Sequence, residues 1–172
     1  MSSPTVARHH LVKKSDGPDI FMPHDPNVSS PTDLNAIVAE SLIFWDTNAG
    51  SSGFIKPLTN DTNAQYFSGV CMDQVPANYG SIVNPNGVSP NGPRNTARVS
   101  RAGQATLKAT GGDAIVPNGV FYAGADEQTM TTTPGTYPLG YIDPKQPAVA
   151  SATAGQLILC RFRARYQATY AS

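Results

Sequence analysis

The sequence predicts an all-β protein: a small barrel or sandwich built from two degenerate β-repeats, preceded by an extended, proline-rich N-terminal arm. Three observations carry that prediction. The apolar runs are short, β-branched or aromatic, and bounded by Gly, Asn, Asp and Ser, as strands joined by turns are. The pattern of residues 42–73 returns in residues 120–143. The composition lacks a helix-forming set: Glu occurs only at Glu40 and Glu127, Leu is sparse, and Gly and Pro number 15 each. With 172 residues the chain suffices for one domain with a real core.

Residues 1–35 make the arm. Pro4, Pro18, Pro23, Pro26 and Pro31 remove backbone donors and bias their predecessors toward extended conformations. One short strand is expected at residues 20–22. Such an arm reaches roughly 115 Å when fully extended, and ordering it costs about 1–2 kcal/mol per residue. It is either a loose tail or a tether laid along a neighbouring subunit. Phe21 and Met22 favour the tether, because a spacer has no use for them.

Residues 36–172 make a single β-domain. Its lead-in, residues 33–40, is a strand or an irregular segment, although Thr32 or Asp33 could also cap a helix. Leu42-Ile43-Phe44-Trp45, Phe54-Ile55 and Tyr66-Phe67-Ser68-Gly69-Val70-Cys71 are the first set of strands. Trp45 ends an apolar run and is expected in the core. Residues 74–93 contain Asn84-Pro85-Asn86-Gly87 and Ser89-Pro90-Asn91-Gly92, consecutive tight-turn signals that predict a long surface loop. In residues 97–108, Ala97, Val99, Ala105 and Leu107 face one side and Arg98 and Ser100 the other, with Gly103 marking a bend or bulge. Gly111-Gly112-Asp113 is a turn, and the Thr-rich residues 129–138 close on Pro134-Gly135.

The second copy follows. Ile43-Phe44-Trp45 matches Val120-Phe121-Tyr122. Phe67-Ser68-Gly69-Val70 matches Leu139-Gly140-Tyr141 with one residue of slippage. Arg98-Val99-Ser100-Arg101-Ala102 matches Cys160-Arg161-Phe162-Arg163-Ala164. Two such copies point to internal duplication; the competing explanation is chance recurrence of turn composition. The last strand is the clearest. Ile158, Cys160, Phe162, Ala164 and Tyr166 point one way, and Leu157, Leu159, Arg161, Arg163 and Arg165 the other.

The net charge is zero, which gives no global pull toward nucleic acid. Residues 1–93 hold four Lys/Arg and eight Asp/Glu, and residues 94–172 the reverse. That asymmetry suits head-to-tail packing or an acidic partner, and chance placement explains it equally well. Cys71 and Cys160 lie in apolar runs and read as buried thiols; a disulfide would require an oxidising compartment. No stretch approaches the ~20 apolar residues of a membrane span. The N-terminus lacks the charged and apolar blocks of a signal peptide, so folding in a cytoplasm is expected.

No catalytic, cofactor or metal site is expected. His9, His10 and His24 all lie in the arm, without a further ligand pair or a nucleophile motif. Asp46, Asp73, Asp113 and Asp143 sit at strand ends or turns, where local hydrogen bonding explains them. Arg161, Arg163 and Arg165 form a basic stripe at ~7 Å intervals. The stripe either docks against carboxylates of another subunit or is a solvated face that discourages aggregation; Leu157 and Leu159 on the same face favour docking. A nucleic-acid role is discounted, because Phe162 falls on the opposite face.

The strand with its turn aspartate at residues 42–46, the Gly69-Val70 and Gly140-Tyr141 strands, and the closing Arg-alternating strand together resemble the capsid decoration, or cement, proteins of tailed bacteriophages. Residues 112–122, GDAIVPNGVFY, are similar to that family's ordered turn followed by a strand. The resemblance covers residues 38–166; the arm and the 74–93 loop depart from the minimal pattern. It implies a structural virion protein without catalysis, made in the host cytoplasm. Such a protein binds the major capsid protein on the capsid exterior, often as a homotrimer, and bridges neighbouring capsid subunits. The candidate contact residues are then Phe21, Met22, Arg161, Arg163 and Arg165, with no membrane or nucleic-acid partner. Deleting residues 1–35 is expected to abolish shell binding and leave the β-domain folded. The alternatives are a carbohydrate- or receptor-binding β-module of a fibre or tail, and a hydrolase using paired aspartates.

Overall fold

The computed structural model describes residues 13–16, 19–23, 40–46, 54–58, 61–72 and 96–165. The 74–93 loop, residues 33–39, the three histidines, Asp73 and Tyr166 lie outside the described residues, as does the rest of the arm. Within the described residues the chain forms β1 (Lys13–Ser15), β2 (Asp19–Pro23), β3 (Leu42–Asp46), β4 (Phe54–Pro57), β5 (Phe67–Cys71) and β6 (Thr96–Ser100). There follow β7 (Ala102–Ala109), β8 (Val120–Ala123), β9 (Thr129–Thr131), β10 (Gly140–Ile142) and β11 (Leu157–Arg163), and a 3-10 helix at Asp61–Tyr66 precedes β5. The protein is all-β.

The strands fall into two sheets with one strand order. The first sheet runs β2-β6-β5-β3-β4, every pair antiparallel. The second runs β1-β7-β11-β10-β8-β9, with β1 added at the edge of a unit β7-β11-β10-β8-β9. Numbered within its own unit, each reads first, fifth, fourth, second, third. The second unit is a closed five-stranded barrel, because β9 returns to pair in parallel with β7 through Lys108–Thr129 and Ala109–Met130. In the first unit the corresponding strands, β2 and β4, have Cα atoms within 8 Å but form no ladder. The duplication expected from the sequence is therefore present in the topology.

Register fixes the correspondence more sharply than the sequence did. Gly69 pairs with Ile43, and Gly140 with Phe121. Val70 pairs with Ser100, and Tyr141 with Arg161. Gly69 thus answers to Gly140, as the sequence matched them. However, Ile43 answers to Phe121 and Val99 to Cys160, one residue away from the matches made on sequence alone. Strand side chains alternate with a period of two, so a one-residue slip exchanges the faces, and the correspondence rests on the cross-strand pairs. The two glycines give an independent check. A Cβ on Gly69 would stand 2.0 Å from the Ser100 carbonyl oxygen, and one on Gly140 would stand 2.0 Å from that of Arg161. In both units the same position lets one strand press onto its neighbour's backbone.

One apolar core joins the units, with Leu42, Phe67 and Val70 of the first packed in a cluster with Leu107, Phe121, Ile142, Ile158 and Phe162 of the second. Fully burying a side chain of this size contributes ~1.5–3 kcal/mol. Backbone bonds stitch the seam: Arg165 N donates to Phe67 O (3.0 Å), and Leu42 N to Glu127 O (2.7 Å). Trp45 is buried, as expected, and Cys71 and Cys160 are buried free thiols.

The chain passes from β6 to β7 through a bend at Arg101, two residues before the expected Gly103. β1 and β2 flank that bend. β1 pairs with β7 and β2 with β6, so the expected strand at 20–22 lies within β2. Asp16 N donates to Ala102 O (2.9 Å), and Ser100 Oγ donates to Ser15 Oγ (2.9 Å), where the ribbon crosses from one unit to the other.

Candidate functional site

The outer face of the barrel is set by the alternation of β11. Ile158, Cys160 and Phe162 are buried, which turns Leu157, Leu159, Arg161 and Arg163 outward. Cross-strand register lays out a row on this face: Gln104 on β7, Arg161 on β11, Tyr141 on β10 and Val120 on β8.

The three arginines of the stripe have different surroundings. Arg161 is held internally. Its Nε donates to Asp143 Oδ2 at 2.7 Å, Gln104 Nε2 donates to the same oxygen at 2.7 Å, and Lys145 N donates to Asp143 Oδ1 at 2.8 Å. Asp143 is fully buried, whereas the Arg161 side chain keeps 36% of its surface exposed. The turn after β10 holds the carboxylate in place: Asp143 N donates to Leu159 O, and Leu159 N donates to Gln146 Oε1 at 2.8 Å. Burial pushes the Asp143 carboxyl upward, but the Lys145 amide, Arg161 and Gln104 outweigh it and hold the group below its ordinary value. The hydrogen bond to Asp143 raises Arg161 above its ordinary value, against desolvation.

Arg163 is exposed and has no ion pair among the described residues. Arg165, just past the strand, places its guanidinium carbon 5.8 Å from the centroid of the Tyr137 ring and donates to Pro138 O at 3.2 Å. Phe21 and Met22 lie on β2, opposite Arg98 and Ala97, in the first sheet. The five residues singled out from the sequence therefore sit on different sheets and do not form one row.

The sequence reading missed the apolar part of this face. Val120 is 46% exposed and Tyr141, its direct cross-strand partner, 42%. Val116, 57% exposed, heads the turn into β8, closed by Gly119 N donating to Val116 O at 2.8 Å. The signal was available: Tyr141 alternates with the buried Ile142. It was hidden because Gly140-Tyr141-Ile142 reads as an unbroken apolar run, and period two does not say which member faces out.

Asp113 and Asp143, two of the aspartates weighed for catalysis, have no partner in common. Asp143 is tied to Arg161, while Asp113 Oδ1 accepts from the hydroxyls of Thr131, Thr132 and Thr133 at 2.9, 3.3 and 3.4 Å. Among the described residues there is no group of three or more His, Cys, Asp or Glu able to hold a metal, and no helix long and apolar enough to cross a membrane. Comparison with protein-family models, curated proteins and solved structures returns no match for this chain.

Proposed function

We propose that the protein is a structural virion component that binds the outer surface of a phage capsid and stabilises it by bridging neighbouring capsid subunits. The observation that carries this reading is the exposed Val120–Tyr141 pair on the outer barrel face, with Val116 exposed in the turn into β8 and Arg163 exposed on the same face. Large apolar side chains held outward on a rigid strand pair are suited to contact rather than to solvent. Arg161 serves this reading as the brace of the face, through Asp143, and Arg163 as its available charge. The resemblance to decoration proteins supplies the class of partner, the major capsid protein, and trimeric assembly. Repetition over a lattice turns weak contacts into firm attachment.

The test is co-sedimentation of the purified protein with capsid shells of the parent phage that lack it. Wild-type protein pellets with the shells. The variant Val120→Asp/Tyr141→Ser/Arg163→Glu, folded by circular dichroism, binds at least about tenfold more weakly, the effect of losing a few interface anchors. Undiminished binding by the folded variant, or no binding by wild type, refutes the reading. The carbohydrate- or receptor-binding alternative draws on Tyr141, an exposed ring beside the Arg161–Asp143 pair. Glycan-array binding lost in Tyr141→Ala would favour it.

A further inference from the structure

Asp113 is 6% exposed, yet among the described residues its side chain accepts only from three neutral threonine hydroxyls, all on Oδ1. Oδ2 is buried and has no partner, and the side chain has no ion pair among the described residues. A buried carboxylate without a compensating charge is among the costliest groups a fold can carry. A lone water would satisfy the hydrogen bonds but not the charge. The carboxylate is also held in place. Gly112 N donates to Ala152 O at 2.8 Å and Ala152 N to Asp113 O at 2.7 Å, which fixes the backbone on one side. The threonines at and beyond the end of β9 fix the other. Further oxygens belong to the same network: Thr132 Oγ1 donates to Ala114 O at 3.1 Å, and Thr131 Oγ1 accepts from Thr133 N at 3.1 Å.

We propose that Asp113 anchors a site for a hard, oxygen-preferring cation, with Oδ2 as the charged ligand and the Thr131–Thr133 hydroxyls and the Ala114 carbonyl as neutral oxygens around it. The absence of nitrogen and sulfur donors from this set disfavours the softer transition metals, and an irregular set of oxygens suits Ca2+ better than the octahedral demands of Mg2+. With a single carboxylate the affinity falls in the millimolar range, where water completes the shell. The ion joins the turn before β8 to the end of β9, the strand whose parallel pairing with β7 closes the barrel. It therefore acts as a clip on that seam. Exposed Gly112, Ala114 and Thr133 leave only thin cover between the site and solvent.

The experiment is thermal unfolding of the full chain after EDTA treatment and dialysis, with CaCl2, MgCl2, NaCl or KCl added at constant ionic strength. Ca2+ at about 10 mM is expected to raise Tm by about 3–5 °C, with smaller or no shifts from the other ions. Asp113→Asn keeps the shape and removes the charge, and is expected to lose the Ca2+-dependent shift. If that variant does not fold, terbium titration of the wild-type protein decides: one saturable site per chain, displaced by Ca2+, supports the proposal. No shift with any of the four ions in the wild type, an equal shift in Asp113→Asn, or terbium binding without saturation overturns it.

Discussion

Asp143 is the residue on which the barrel's outer face most depends. It converts Arg161 from a mobile surface cation into a fixed strut and ties β7, β10 and β11 together through Gln104 and its own turn. Asp143→Asn keeps the volume but weakens three charge-assisted bonds, and is expected to cost about 1–3 kcal/mol at neutral pH. The pH dependence follows from the direction of the shift. The folded-state pKa lies below the ordinary 3.8, so the contribution is complete above 3.8 and is lost as the pH falls beneath it through the folded value. Tm measured between about pH 2 and pH 6 should fall less steeply on the acid side in Asp143→Asn than in wild type. Gly69 and Gly140 make a second test. At both, a methyl group would collide with a backbone carbonyl oxygen that cannot swing aside, and Gly69 also has a φ of 137°. Gly69→Ala and Gly140→Ala should each destabilise by about 2–4 kcal/mol in chemical denaturation, with Gly69→Ala the worse. The thiols give a third. Cys71 and Cys160 are fully buried, and burial together with the Asp143 charge pushes Cys160 far above its ordinary pKa. Neither should react with a thiol reagent in native buffer, and both should react in denaturant.

At the scale of elements, β11 was legible because ten residues alternate without interruption, and its burial follows that alternation residue by residue through Arg163. β3, β5, β8 and β10 were legible as apolar runs between turn residues. β9 was not. Thr129–Thr131 has no apolar pattern of its own, and it is a strand because closing the barrel against β7 buries Thr129 and Met130. Register was illegible for a similar reason: it is set by neighbours such as the carbonyl beneath each glycine, which no single strand reveals. The candidate site was half legible. Alternation placed Arg161 and Arg163 outside, but Asp143, which lies in a turn 18 residues earlier, gave no sign that it would claim Arg161. The ribbon of β1 and β2 bears on the arm. Cutting after residue 12 leaves both strands paired, whereas cutting after residue 23 uncovers β6 and the first half of β7. The shorter cut should leave Tm within about 1 °C of wild type. The longer cut should lower it by about 5 °C or more and produce oligomers by edge pairing in size-exclusion chromatography. Shell binding by the arm is therefore better examined with the shorter cut than with removal of residues 1–35.

The whole molecule is one strand order used twice around a shared core, with the second copy closed into a barrel and the first left unclosed. Duplication was legible in outline because turn residues and apolar runs recur. The difference between the copies was not, since closure depends on two residue pairs between β7 and β9. The proposed role in holding neighbours together draws on this body, with an apolar pair set outward and Arg163 exposed on the same face. Cryo-electron microscopy of particles assembled with and without the protein tests that account most directly. The account predicts a two-unit β-body on the outside of the shell at the junctions between capsid subunits, with the face bearing Val120 and Tyr141 turned toward the shell. Density enclosed within the particle, or shells indistinguishable with and without the protein, would contradict it.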